Sequence, residues 1–196
     1  VNFDAIEKAR NRIIFEELFL LQLALMTLKN NSLGNLKENF YLDVSEYEFA
    51  KLLPFELTNA QKRVINEIKS DLKSNKIMNR LVQGDVGCGK TMVAAIAMYI
   101  AVKNGYQASM MAPTTILANQ HFKELKPYFE KLNINVEILT SSTTKKNKER
   151  IIEKLKNKEI DILIGTHSII EDDIEFNNLS LVITHEQHRF GLNQRM

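Results

Sequence analysis

Apolar residues recur at helical spacing from the start of the chain. Ile6, Ala9, Ile13, Ile14, Leu18, Leu21, Leu25 and Leu28 predict one long helix over residues 4–29. Its apolar face is broad ("IIFEELFLLQLALM"), which predicts packing on something larger than its own loop. The polar run "KNNSLGN" closes it, and the pattern stays weak to about residue 51. From residue 54 short apolar runs alternate with amphipathic stretches. "LTNAQKRVINEIKSDLKSN" predicts a helix, "MNRLVQ" a strand and "TMVAAIAMYIAVKNG" a helix ending at Gly105. "QASMMAP" predicts a strand, followed by a helix over "ILANQHFKELKPYFEKL" that Pro127 kinks or divides. "NVEILT", "IDILIGT" and "LSLVIT" read as strands, with "KKNKERIIEKLKN" as a helix between the first two. Such alternation predicts a parallel sheet covered by helices on both faces. Residues 1–53 read as a connector and 54–196 as an α/β domain, expected to be cut short at its C-terminus because the last strand lies so near residue 196.

Composition narrows this little. Hydrophobic residues make up 44% of the 196, enough for a real core, and the single cysteine excludes a disulfide framework within the chain. No run of about 18 uncharged apolar residues exists, so no membrane association is expected. The start lacks the charged-then-apolar layout of a secretory signal, which predicts an intracellular protein. A formal charge of +2 is too small to argue for nucleic acid by itself. The lysine-rich "TTKKNKERIIEKLKNKE" has helix-spaced Ile151, Ile152 and Leu155 with interspersed glutamates, and reads as a solvated helix face rather than a DNA patch.

The strongest chemical signal is "GDVGCGKT", which matches G-x-x-x-x-G-K-[ST] between an expected strand and an expected helix. Gly84, Asp85, Gly87, Cys88, Gly89, Lys90 and Thr91 are therefore the candidate nucleotide contacts. Glycines let backbone N–H groups turn inward around phosphate oxygens, where a Cβ would block the approach. Lys90 supplies a cation to the β- and γ-phosphates, and the Thr91 hydroxyl is a hard oxygen ligand for Mg²⁺. Cys88 reads as a small filler.

Taken in order, "LPFELTNAQKRVI", "GDVGCGKT", "APTTILANQH", "GTHSII" and "HEQHRFG" resemble the first motor domain of superfamily 2 helicases. The wording is closest to the RecG family of bacterial branch-migrating DNA helicases, a resemblance that covers essentially the whole chain. Translocases that couple transcription to repair share "GDVGxGKT" and "GTH", but usually carry Glu-Glu-His where this chain has Glu186-Gln187-His188. The resemblance implies a RecA-like P-loop NTPase fold, ATP and Mg²⁺ as cofactors, and remodelling of stalled forks and Holliday junctions. It also implies branched or forked DNA as partner, with single-stranded-DNA-binding protein as a further one, a monomer, and a bacterial cytoplasmic location. The connector would then join the motor to a DNA-gripping wedge domain.

By position, the resemblance implies that Gln61 hydrogen-bonds the adenine edge, with Phe55 against the base. Thr58 and Gln61 also have capping-box spacing, and the two roles can alternate with nucleotide occupancy. Pro113, Thr114 and Thr115, and likewise Gly165, Thr166 and His167, would touch the DNA backbone; helix capping is the competing reading for the threonines. His121 reads as an ordinary polar position on a helix. His167 and His188 lack any recognisable zinc spacing. Glu186 would orient the attacking water, and Gln187 and His188 would relay nucleotide state to the DNA contacts.

One position departs from the family. Where the resemblance implies an Asp that holds Mg²⁺, this chain has His185. Magnesium prefers hard oxygen donors, and imidazole is a poor partner for it. The expectation is a chain that binds ATP but handles Mg²⁺ badly and hydrolyses slowly, or a non-catalytic nucleotide-binding module. A cloning or sequencing origin for His185 stands beside a natural adaptation. A transition-metal site on His185 and His188 carries little weight, since residues three apart on a continued strand point apart.

Overall fold

The structure, a computed structural model, describes residues 3–32, 41–171 and 173–185. The chain divides into two compact units: residues 1–38 with 74–79, and residues 39–73 with 80–196. In the first, the expected helix forms as α1 (Phe3–Ser32). Arg12 and Glu16 pair across one turn at 2.8 Å, and Phe15 stacks on Phe19 with ring centroids 6.0 Å apart. Ile13, Leu18, Leu21 and Leu25 are exposed.

The second unit is built on a sheet whose described strands are β1 (Gln107–Met111), β2 (Val136–Leu139), β3 (Ile162–Gly165) and β4 (Leu179–Thr184), in the order β2-β3-β1-β4. Every pairing is parallel. The α/β class with a parallel sheet is as the sequence predicts. The helices are α2 (Tyr47–Ala50), α3 (Asn59–Lys73), α4 (Lys90–Lys103), α5 (Thr115–Glu130) and α6 (Lys145–Lys156), with a 3₁₀ turn at His167–Ile170. Helix α4 packs on β1 and β4, and α5 on β2 and β3. Alternation along the strands decides which side chains face which layer. Met111, Leu139 and Leu163 join Ile151 and Leu155 of α6 and Ile169 in one apolar cluster. Within the sheet, buried Gln107 donates from Nε2 to the carbonyls of Leu155 and Ile160, while its Oε1 accepts from the Asn178 N–H. A polar side chain is thus buried with its amide hydrogen-bonded at both ends.

Three sequence expectations change. "MNRLVQ" is not a strand: residues 78–83 run irregularly, with Leu81 exposed. Arg80 is tied to α3 instead, at 2.7 Å from Asp71 and 2.6 Å from Glu67. The boundary expected at residue 53 also moves. Tyr41, Phe49 and Leu53 are buried, and Phe49 packs in an aromatic group with Tyr99, Tyr128 and Phe129. Residues 41–53 therefore belong to the α/β unit. Finally, of the kink or division expected at Pro127, the division does not occur: α5 runs through it as one helix. Proline costs a helix one backbone donor and crowds the carbonyl four residues back, but so near the C-terminus few turns remain to be disrupted.

Candidate nucleotide site

Several of the candidate residues follow the C-terminal ends of parallel strands. Helix α4 leads through the turn at Gly105 directly into β1, so the two run in opposite directions and the N-terminus of α4 lies toward the C-terminal edge of the sheet. The same edge carries Pro113–Thr115 after β1, Thr166–His167 after β3 and His185 after β4.

Two glycines give the loop before α4 its shape. Gly87 and Gly89 both have φ of 81°, a left-handed conformation that side chains disfavour. Gly89 is the N-cap of α4, and its carbonyl accepts from the N–H groups of Met92 and Val93. A Cβ at Gly89 would lie 2.3 Å from Nε2 of Gln61. The ammonium of Lys90 donates to the carbonyls of Gly84 and Asp85, each at 2.7 Å, and lies 3.7 Å from the Cys88 sulfur. Loop and lysine thus form one cationic, donor-rich turn at the positive end of a helix, a fit for phosphate oxygens.

Gln61 has two partners. Its Oε1 accepts from the Thr58 N–H at 2.8 Å, while its own N–H donates to Thr58 Oγ1 at 3.2 Å. This is the reciprocal capping box that the spacing allowed. Gln61 Nε2 also donates to the Cys88 carbonyl at 2.9 Å, which joins the start of α3 to the phosphate loop. Phe55 is exposed on the turn before α3.

The two candidate DNA groups differ. Thr114 is exposed and caps α5, its Oγ1 accepting from the Leu117 N–H at 3.2 Å, so capping accounts for this threonine. Pro113 and Thr115 flank it, partly exposed. Gly165 and Thr166 are buried. Gly165 is needed for packing: a Cβ there would lie 2.1 Å from the Leu139 carbonyl oxygen. Of this trio only His167 is exposed.

Thr91 stands in the first turn of α4, and its hydroxyl is a hard oxygen donor of the kind Mg²⁺ takes. His185 follows β4, with its N–H donating to the Met111 carbonyl at 2.8 Å and its ring against that of His121. An imidazole there does not suit Mg²⁺, so the donor set fits ATP better than its usual metal. Glu186, Gln187 and His188 lie outside the described residues. Among the described residues no group of three or more His, Cys, Asp or Glu is placed to hold a metal, and no helix is long and apolar enough to cross a membrane.

His121 is a site neighbour that sequence reasoning passes over. It is 4% exposed, a buried position rather than an ordinary surface one. The signal is present in the spacing: Ala118, His121, Leu125 and Phe129 form the buried stripe of α5.

Comparison with known proteins places these features. The family model described as "DEAD/DEAH box helicase" matches residues 58–196. The ATP-dependent DNA helicase RecG of Bacillus subtilis (strain 168) is 48% identical over 195 residues, which cover 98% of this chain and 28% of that protein. RecG of Thermotoga maritima is also 48% identical over 195 residues, 98% of this chain and 25% of that protein. A solved structure of RecG bound to a three-way DNA junction superposes with a TM-score of 0.85 at 46% identity, covering 96% of this chain and 26% of that one. The UvsW helicase of bacteriophage T4 shares the fold alone, with a TM-score of 0.57 at 15% identity. The chain thus spans about a quarter of the length of the RecG proteins it matches.

Proposed function

The chain belongs to the DEAD/DEAH box helicase family, and on that premise we propose that it is the ATP-hydrolysing part of a DNA helicase that remodels branched or forked DNA. The observation that carries the reading is the loop Gly84–Thr91, held to α3 by Gln61 and capped by its own lysine. Similarity to RecG, one solved structure of which is described as bound to a three-way DNA junction, supports the choice of substrate.

The reaction is transfer of the γ-phosphoryl group of ATP to water, in which the protein positions groups and stabilises charge. Phosphate oxygens are charged acceptors and compete for the Lys90 ammonium against the neutral carbonyls of Gly84 and Asp85. The helix N-terminus adds its partial positive charge. Gln61 releases the Cys88 carbonyl or the Thr58 N–H to meet the adenine edge, with Phe55 beside it. Glu186 orients the water, and Gln187 and His188 relay the outcome. Pro113, Thr114, Thr115 and His167 offer contacts to the DNA backbone. Thr91 would hold Mg²⁺, the ion that spreads phosphate charge; His185 is a poor second partner for it. A monomer in the bacterial cytoplasm, with single-stranded-DNA-binding protein as a partner, completes the proposal.

His185 favours a second reading, a nucleotide-binding module without turnover. ATPase assays of the intact protein, with linear duplex and with three-way junction DNA, separate the two. The helicase reading expects turnover, stimulated more by the junction and abolished by Lys90→Ala. It also expects His185→Asp to raise the rate by about tenfold or more, since each 1.36 kcal/mol of barrier is about tenfold in rate. Tight ATP binding without turnover in both the natural chain and the His185→Asp variant would establish the module instead.

A further inference from the structure

Helix α1 presents apolar side chains in every direction. Between Leu18 and Met26 the only polar residue is Gln22, and no charged residue occurs from Leu18 to Leu28. Phe19 and Leu21, two residues apart and so on nearly opposite sides of the helix, are 54% and 57% exposed. Ile13 and Leu20, on a third side, are exposed as well. A helix that is apolar all round is at home inside a core, not on a surface. Yet α1 belongs to a unit apart from the α/β domain.

Length and geometry decide what surrounds it. The apolar stretch from Ile13 to Met26 spans about 20 Å at about 1.5 Å per residue, short of a hydrocarbon core of about 30 Å, and it contains Glu16 and Glu17. A helix lying in a membrane surface keeps one polar face, which Leu18–Met26 lacks. A second copy fits only in part. Ile14, Leu18, Leu21 and Leu25 recur at spacings of four, three and four, the seam of a helix pair. Pairing along that seam would leave Phe19, Leu20 and Leu23, all exposed, on the far side in water. Cover is needed from several directions. The match to RecG of Bacillus subtilis takes in 98% of this chain, and with it α1, but only 28% of that protein. We propose that Ile13–Met26 of α1 is the central helix of a second hydrophobic core, completed by apolar helices from the part of the same polypeptide outside these 196 residues. The seam spacing is what calls for helices, whose ridges fit the grooves between its rows. Helix α1 is then the middle of a neighbouring domain rather than a connector, whatever nucleotide the phosphate loop takes.

The test is hydrogen–deuterium exchange of the intact protein, with its mass in solution followed by light scattering over a range of concentrations. The expected result is a monomer in which the amides of residues 13–26 exchange as slowly as those of β3, at every concentration. Leu21→Glu is expected to speed exchange over α1 by about a hundredfold or more while β3 stays protected. Should that variant fail to fold, Leu21→Ala replaces it, with a smaller change in the same direction; no change in either variant overturns the proposal. Fast exchange over α1 in the natural monomer also overturns it. Protection that vanishes on dilution, as a dimer dissociates, overturns it in favour of a second copy. Protection that arises only with phosphatidylcholine–phosphatidylglycerol vesicles overturns it in favour of a membrane surface.

Discussion

Gly89 stands under two constraints, and Gly87 under only one. Both have φ of 81°, but a Cβ at Gly89 would strike Gln61 at 2.3 Å, whereas one at Gly87 meets nothing within 4 Å. Gly87→Ala is therefore expected to cost only left-handed strain, about 1–2 kcal/mol. Gly89→Ala should cost more, because the Gln61 link to the loop must also break. Chemical denaturation of the two variants, with ATP titration, checks the order; equal losses would refute the steric argument. Gln61 can be dissected in the same way. Thr58→Ala removes the cap and should cost about 1 kcal/mol. Gln61→Glu keeps an oxygen for the Thr58 N–H but loses the donor to the Cys88 carbonyl, and should weaken ATP binding while leaving α3 helical. Circular dichroism and nucleotide titration read the two effects separately.

Among elements, α6 bears out the reading of its lysines as a solvated face. Ile151 and Leu155 are buried, and the charged positions surround them. Lys148 does more than cover the surface. It pairs with Glu171 and, at 2.9 Å, with Asp173, both beyond the 3₁₀ turn at His167–Ile170. Its ammonium, hydrogen-bonded to Asp173, holds that carboxyl below the usual range. A depressed carboxyl pKa stabilises the fold fully above the unfolded value, about 3.9 for Asp, and the contribution is lost as pH falls through the folded value. The melting temperatures of the natural chain and Asp173→Asn should therefore differ near neutrality and converge below about pH 4. A constant gap across that window would show that the pair does not act through ionisation. Helix α5 joins two features: Thr114 caps its start, and His121, about 10 Å further along at about 1.5 Å per residue, meets the ring of His185.

Across the whole α/β unit, strand order separates what must pack from what need not. Leu163 is fully buried in β3, between β2 and β1, whereas Val182 lies on β4 at the edge of the described sheet and is exposed. Leu163→Ala should cost about 2–5 kcal/mol. Val182→Ala should stay within about 0.5 kcal/mol of the natural chain. Comparable losses in denaturant titrations would mean that the β4 edge is covered. The sequence by itself determined the α/β class, the phosphate loop and, among the described residues, the four strands and every helix longer than one turn, because period-two and period-3.6 patterns and glycine spacing are local properties of a chain. It also exposed His185 as an anomaly. Tertiary structure alone decided that Arg80 is tied to α3, that residues 41–53 join the α/β unit, and that Gly165 and Thr166 are buried. Those outcomes depend on which surfaces meet, and periodicity carries no information on that. The contact between His121 and His185 is of the same kind: far apart in sequence, the two rings become neighbours only when α5 is laid across the sheet.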